Sequence, residues 1–256
     1  MPLSDARAIA TGNSFLATEA GVFPAANPAS LFGAEETVIN TTYKKFSRLP
    51  GMDQISASVI SKFHNYTTGL SVFRAGDEYF SQYDVSAGVA HRIAHTALGL
   101  RMDLLQLRAS GFNTLHAFSL SAGFISRIGK KATIGASVQQ LNNPAFGAPE
   151  NKFHPIFSMG FSFQPAENLL LNIAIRKDVL HSPQPCAGLE YQLKPLVFIR
   201  TGLQLNPYAW SAGIGFRYWK VVADYALVYS RFSGINFQAT ARIFPGQLIK
   251  SRSGEK

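Results

Sequence analysis

Nine charged residues stand at alternating positions of otherwise apolar runs, where a strand would carry them all on one face. They are Arg101, Asp103, Arg127, Arg176, Glu190, Arg200, Arg217, Asp224 and Arg242. Guanidinium and carboxylate groups gathered on one face can pair with each other or with backbone carbonyls, or they can line a pore as a selectivity filter. Of these two chemistries we favour an ion-paired network that fills a narrow space.

Residue types that could support catalysis do not form a known arrangement in this sequence. His91 and His95 have the spacing of a helical metal motif, but they straddle a predicted hairpin and lack the nearby Glu of that motif. The single cysteine, Cys186, is predicted to be an ordinary strand residue. A phosphate-binding loop, a CxxC pair and a nucleophile elbow are all missing from the sequence. We therefore predict a non-enzyme with no catalytic residues, no metal site and no cofactor.

The element that must position the charged face is a long series of strands. From about Glu36 to Phe244, the chain alternates apolar and polar residues in roughly fourteen runs of about ten residues each. In the run from Ile156 to Gln164, Phe and Met occupy one face, whereas Ser, Gly and Gln occupy the other, because strand side chains alternate with period two. A charge facing lipid near the bilayer midplane costs about 2–4 kcal/mol, so we place the charged face inside. The fold class predicted is all-β, a transmembrane antiparallel β-barrel of about fourteen strands.

The connections between these runs alternate in length. Tight, polar connections are predicted at His64–Asn65, Gly129–Lys131, Ala166–Asn168 and Lys194–Pro195. Longer ones are predicted at Ser47–Asp53, Gly76–Gln82, Arg108–Leu115, Asn142–His154 and Val179–Pro185. Bacterial outer-membrane barrels have short periplasmic turns and longer extracellular loops. The alternation therefore indicates the cell outer membrane of a Gram-negative bacterium.

Composition agrees with this class of protein and argues against others. Of the 256 residues, 46% are hydrophobic and 15% are charged, and no stretch approaches the roughly twenty apolar residues of a transmembrane helix. The net charge of +9 is scattered without a helix-borne basic stripe, so we predict no nucleic-acid partner and infer contact with outer-membrane lipid. A lipocalin-like soluble barrel would also alternate, although it needs only about eight strands and an apolar interior. Periodicity alone leaves that alternative open.

Three segments are predicted: residues 1–35 as a luminal plug or hatch, residues 36–244 as the barrel, and residues 245–256 as a periplasmic tail. The first twenty residues lack the basic and continuous apolar regions of a signal peptide, so we expect that this export signal has been removed. Glycines on the polar face would leave space for the plug. They are Gly99, Gly123, Gly135, Gly160, Gly188, Gly202, Gly213 and Gly215.

The stretch DARAIATGNSFLA from Asp5 to Ala17, followed by ANPASL from Ala26 to Leu31, resembles the N-terminal signature of FadL-like barrels. It is most similar to the PorV/PorQ-type branch of Bacteroidota, in which "ARA-x-G-x-G-x-A-F-x-A … NPA-x-L" opens the mature chain. The matching residues are Arg7, Gly12, Phe15, Ala17, Asn27, Pro28, Ala29 and Leu31. The resemblance implies fourteen strands with the N-terminal segment folded into the lumen. It assigns the plug to Arg7, Gly12, Phe15, Asn27, Pro28 and Ala29.

The resemblance implies two different functions. Some FadL-like proteins carry hydrophobic small molecules across the outer membrane, whereas others belong to type IX protein secretion and escort exported cargo. The predicted outer loops of this chain are too modest to build a capacious extracellular ligand pocket. We therefore predict an accessory secretion barrel, with secretion-machinery subunits or exported cargo proteins as partners. The alternative is a transporter with a hydrophobic ligand.

Overall fold

The computed structural model describes residues 3–19, 25–147 and 152–245, most of which form one closed sheet of fourteen antiparallel strands. Neighbours in sequence are neighbours in the sheet, and the first strand pairs with the last, which leaves no free edge. The strands are β1 (Val38–Phe46), β2 (Gln54–Phe63), β3 (Tyr66–Gly76), β4 (Phe80–Ile93), β5 (Thr96–Ala109), β6 (Leu115–Ile128), β7 (Ala132–Gln139), β8 (Ile156–Ala166), β9 (Leu169–Asp178), β10 (Gln184–Lys194), β11 (Val197–Gln204), β12 (Ala209–Tyr218), β13 (Val221–Ser230) and β14 (Gly234–Ile243). The predicted fold class is confirmed.

The two faces of the wall are inverted relative to a soluble protein. On β5, Leu100 and Leu104 are each 60% exposed, whereas Arg101 and Asp103 between them are only 2% and 3% exposed. β14 repeats this pattern along its whole length, with Gln238 and Arg242 buried beside exposed Ile243. An apolar exterior around a polar lumen is the pattern of a membrane-spanning barrel, and it excludes the lipocalin-like alternative.

The two rims of the barrel carry connections of different length, as the sequence predicted. One rim carries the tight turns, such as Ala94–His95 between β4 and β5, and the other carries the long connections, up to residues 140–155 between β7 and β8. Bacterial outer-membrane barrels have their short turns on the periplasmic side, so the short-turn rim faces the periplasm. The part of the predicted tail beyond residue 245 lies outside the described residues.

One predicted loop is wrong in extent. Gly76–Gln82 was expected to be a long connection, but only three residues separate β3 from β4. The Asp77 carboxylate accepts hydrogen bonds from the backbone N–H groups of Tyr79 and Phe80, both at 2.9 Å, and this closes a compact turn. The hydrogen bond from the backbone N–H of Phe80, and to a smaller extent that from Tyr79, holds the pKa of Asp77 below its ordinary value.

Among the described residues before the first strand there are two short helices. α1 spans Ala6–Ala10, and a 3₁₀ helix spans Pro28–Gly33. Each is capped by a side chain, because Asp5 accepts from the N–H of Ala8 and Asn27 accepts from that of Ala29. Across the described ranges, no helix is long and apolar enough to cross a membrane.

A charge on the outer face is expected to be far more costly than a charge in a loop. Leu100→Arg places a guanidinium near the middle of β5 on the apolar exterior, and it should lower the free energy of unfolding by about 2–4 kcal/mol. The matched control is Phe112→Arg, since Phe112 is 80% exposed in the connection between β5 and β6. Urea unfolding in lipid vesicles would measure both variants. Equal effects would contradict the assignment of the outer face to lipid.

Candidate functional site in the barrel lumen

The N-terminal segment, defined here as residues 3–19 and 25–34, lies inside the barrel and hydrogen-bonds to its wall. The N–H of Ala6 donates to Thr240 Oγ1 at 2.8 Å on β14. The N–H of Gly12 donates to Ser211 Oγ at 3.1 Å, and this hydroxyl donates in turn to the carbonyl of Ala10 at 3.0 Å. Backbone groups of an irregular segment must find partners when they are buried, and here the inward-facing polar side chains supply them.

Asn27 joins both parts of the segment to the wall. Its Nδ2 donates to the carbonyl of Leu16 at 2.9 Å and to the carbonyl of Phe124 on β6 at 3.0 Å. Its Oδ1 accepts from the N–H of Ala29 and so starts the 3₁₀ helix, with Pro28 at its first position. The Asn-Pro pair therefore makes a rigid turn and also anchors that turn to the barrel.

The inward-facing glycines lie where the wall approaches this segment most closely. A Cβ at Gly99 would stand 2.3 Å from the backbone of Ala29, and a Cβ at Gly202 would stand 2.1 Å from the N of Gly12. Real Cβ atoms do not come so near, so a side chain at either position would force the segment away. Comparable short distances to the segment occur at Gly123, Gly135, Gly160, Gly188 and Gly213.

Five charged side chains form one buried network between the segment and the wall. Arg7 on α1 makes two parallel hydrogen bonds to the Glu190 carboxylate, each 2.7 Å long. Arg200 Nε donates to the same carboxylate at 2.6 Å, and its Nη1 donates to Asp224 at 2.7 Å. Arg242 completes the chain by donating to the other Asp224 oxygen. Such short, charge-assisted contacts join β10, β11, β13 and β14 to α1.

Gly215 has a different role from the other glycines. The pair between Arg200 on β11 and Asp224 on β13 crosses the intervening strand β12. A Cβ at Gly215 would lie 2.4 Å from Asp224 Oδ1 and 2.5 Å from Arg200 Nη1. The missing side chain makes room for the ion pair, although the sequence predicts that this glycine leaves space for the plug.

Among the described residues, the remaining predicted charges form no ion pair with this network. Arg101 Nε donates to Asp103 at 3.1 Å, and Arg101 Nη1 donates to the carbonyl of Ala25 in the segment at 3.0 Å. Arg217 lies over the Phe198 ring at 5.2 Å. Within the described ranges, no ion pair joins Arg176 or Arg217 to a carboxylate.

Sequence reasoning missed a second anchor of the segment. The Glu19 carboxylate accepts from Arg127 Nη2 at 2.6 Å and from Arg92, so it is held by two guanidinium groups on β6 and β4. Glu19 is the only acidic residue between Ala6 and Ala34. An acid in a segment predicted to enter an arginine-rich lumen was the available signal for this anchor.

Two cavities lie on opposite sides of the segment. The outer cavity, of about 180 Å³, lies toward the long-loop rim and is lined by Ile9, Gly12 and Asn13 of the segment together with wall residues that include Phe46 and Trp210. The inner cavity, of about 700 Å³, opens at the short-turn rim and is lined by Arg7, Thr18 and Glu19 of the segment. The segment therefore separates the outer cavity from the inner one.

A closed fourteen-strand barrel with an apolar exterior and a polar, segment-filled lumen defines an outer-membrane β-barrel, and the predicted outer-membrane location is confirmed. The fold is shared with the CymD monoaromatic hydrocarbon channel, with a TM-score of 0.72 and 11% identity over 94% of this chain and 97% of that one. The Pseudomonas putida toluene transporter TodX matches with a TM-score of 0.70 and 10% identity over 94% and 98%. A Pseudomonas aeruginosa FadL homologue matches with a TM-score of 0.67 and 10% identity over 95% and 99%.

No family model and no curated protein matches the sequence. At 10–11% identity, the structural matches show the fold alone. The structural neighbours include a FadL homologue, in agreement with the fold that the N-terminal resemblance implies, whereas the PorV/PorQ-type branch stays a prediction. The three structures are named as a channel, a transporter and a FadL homologue rather than as enzymes.

Proposed function

We propose that the chain passes hydrophobic small molecules across the outer membrane, with the N-terminal segment as the plug of the pore. The observation that carries this proposal is the position of the segment between the outer and the inner cavity. All fourteen strand pairs are hydrogen-bonded, so a molecule that moves along the barrel axis meets the segment before it reaches the inner cavity. The structural likeness to channels named for hydrocarbons supports the same class of cargo.

The outer cavity has the size of a small apolar molecule, and its lining is mixed apolar and polar. Its volume of about 180 Å³ is close to the roughly 150 Å³ of an apolar protein cavity that takes up benzene. Ile9, Phe46 and Val228 supply apolar surface. Lys44, which lies over the Phe46 ring, and Gln204, together with Ser and Asn side chains, supply polar atoms. Small-molecule sites combine apolar surface with polar groups that fix orientation, and this cavity offers both.

Filling the outer cavity is expected to stop uptake. Val228 faces this cavity, and Val228→Trp should fill it without removing any of the hydrogen bonds that hold the segment. Leu227→Trp is the matched control, because the neighbouring side chain points to the other side of β13. The measurement is the rate at which Gram-negative cells expressing each variant take up radiolabelled toluene, compared with cells that lack the protein.

We expect the wild type and the Leu227→Trp variant to raise the uptake rate, and Val228→Trp to return it to the background. Equal amounts of folded barrel in the outer membrane, judged by heat-modifiable migration on gels, make the comparison valid. Toluene uptake that is unaffected by expression of the wild type would refute the proposed function.

The second candidate function is the accessory role in type IX secretion. What favours it is the resemblance of the N-terminal sequence to the PorV/PorQ-type signature, which includes Arg7, Phe15 and Asn27. Purification from the native outer membrane in mild detergent, followed by mass spectrometry, separates the two functions. Secretion subunits or exported cargo proteins in the preparation would favour this role, and a bound hydrophobic molecule without protein partners would favour transport.

A further inference from the structure

We propose that the inner cavity is a binding site for a small carboxylate anion, which competes with Glu19 for the guanidinium groups that hold it. This site is distinct from the outer cavity and does not depend on the transport of hydrophobic molecules. It faces the periplasm, because the turns Gly129–Lys131 and Glu167–Asn168 of the short-turn rim form part of its lining.

The cavity already holds one carboxylate of the protein itself. Glu19 receives hydrogen bonds from Arg92 and Arg127, and only 12% of its side chain is exposed. The Arg127 side chain is 51% exposed to the cavity, so a free anion can approach the guanidinium from the open side. Guanidinium groups bind carboxylates in a fixed, two-pronged geometry, and Glu19 occupies part of that geometry in the present structure.

The lining carries more positive charge than its own carboxylates can neutralise. Five cations line the cavity, and only three carboxylates oppose them. The cations are Arg7, Arg127, Lys130, Lys131 and Arg217, and the carboxylates are Glu19, Glu167 and Glu190. Arg217 lies over the Phe198 ring and has no ion pair among the described residues. A concave, partly enclosed surface that carries charge of one sign raises the local concentration of ions of the opposite sign.

The size and the lining of the cavity favour a small organic anion. About 700 Å³ is ample for a dicarboxylic acid of a few carbon atoms, and Leu169, Leu170 and Phe198 offer apolar surface to its carbon skeleton. Binding of such an anion at Arg127 would take a hydrogen bond from Glu19 and so loosen the segment at its inner end.

The test is the equilibrium binding of succinate to the purified full-length protein by titration calorimetry at constant ionic strength. Glu19→Gln removes the internal competitor and should tighten succinate binding by about tenfold, the scale of one charge-assisted hydrogen bond. Arg127→Gln and Arg217→Gln should each weaken it by about tenfold for the same reason. Arg231→Gln is the control, since Arg231 is an exposed cation in the connection between β13 and β14 at the opposite rim. Succinamide, the neutral analogue, should not bind.

The decisive result is that Glu19→Gln tightens succinate binding whereas Arg127→Gln weakens it. A general loss of folding would weaken binding in both variants. The proposal is overturned if Glu19→Gln binds succinate no better than the wild type. It is also overturned if Arg231→Gln weakens binding as much as Arg217→Gln, or if succinamide binds equally well. Calorimetry uses no hydrocarbon, so failure here leaves the toluene result standing, and failure of toluene uptake leaves this site standing.

Discussion

Deletion of residues 1–32 is expected to raise single-channel conductance in planar bilayers by about tenfold or more, since a barrel of this size without internal filling encloses water. The described part of this range lies between the two cavities, and it includes Arg7 and Asn27, which join the segment to the wall. The wild type should show small, infrequent openings. An unchanged conductance, or a wild type that is already fully open, would contradict the plug assignment.

A point substitution provides a second route to the same outcome if the deleted protein folds poorly. Gly202→Leu places a side chain where Gly12 and Thr11 now lie, so it should displace the segment and raise conductance in the same direction. Thr201→Leu is the matched control, because Thr201 is the preceding residue of β11 and points outward. Thr201→Leu should keep the conductance of the wild type.

Asp224→Asn is expected to lower the free energy of unfolding by about 3–5 kcal/mol, the usual effect of breaking a buried ion pair by removing one partner. Asp224 is the only carboxylate that Arg242 contacts among the described residues, and it shares Arg200 with Glu190. The substitution leaves two buried guanidinium groups facing a neutral amide. Chemical denaturation in vesicles, followed by loss of heat-modifiable migration, would measure the effect.

The control for this substitution is Asp178→Asn. Asp178 pairs with His181 at the long-loop rim, where the His181 side chain is 70% exposed, and an exposed pair contributes at most about 1 kcal/mol. A similar loss of stability in both variants would contradict the importance of burial for the luminal network.

The strand pattern could be predicted because the period of two is a local property of the chain. Phe157, Met159 and Phe161 were assigned to one face from sequence alone, and all three are exposed on the outside of β8. Local turn chemistry was harder, since the bonds that Asp77 makes to Tyr79 and Phe80 shorten a connection that looked long.

Individual partners in the lumen could not be predicted from one sequence. The contact between Arg200 and Asp224 depends on the relative register of three strands and on the absence of a side chain at Gly215. Glu19 was missed because its partners, Arg92 and Arg127, lie 73 and 108 residues further along the chain. The residue types indicated a charged lumen. Which cation pairs with which carboxylate follows only from the geometry of the closed barrel.

The contacts of α1 with β14 also constrain how this protein folds. Ala6 and Thr240, which are 234 residues apart, are joined by a hydrogen bond, and the same strand β14 pairs with β1 to close the sheet. Neither the docking of α1 nor the closure of the ring can be completed before the last strand is available. Such long-range closure makes folding slow, and the unpaired edges of β1 and β14 stay available for aggregation until it is complete. Protection of these two edges during assembly is therefore as important to the protein as the stability of the finished barrel.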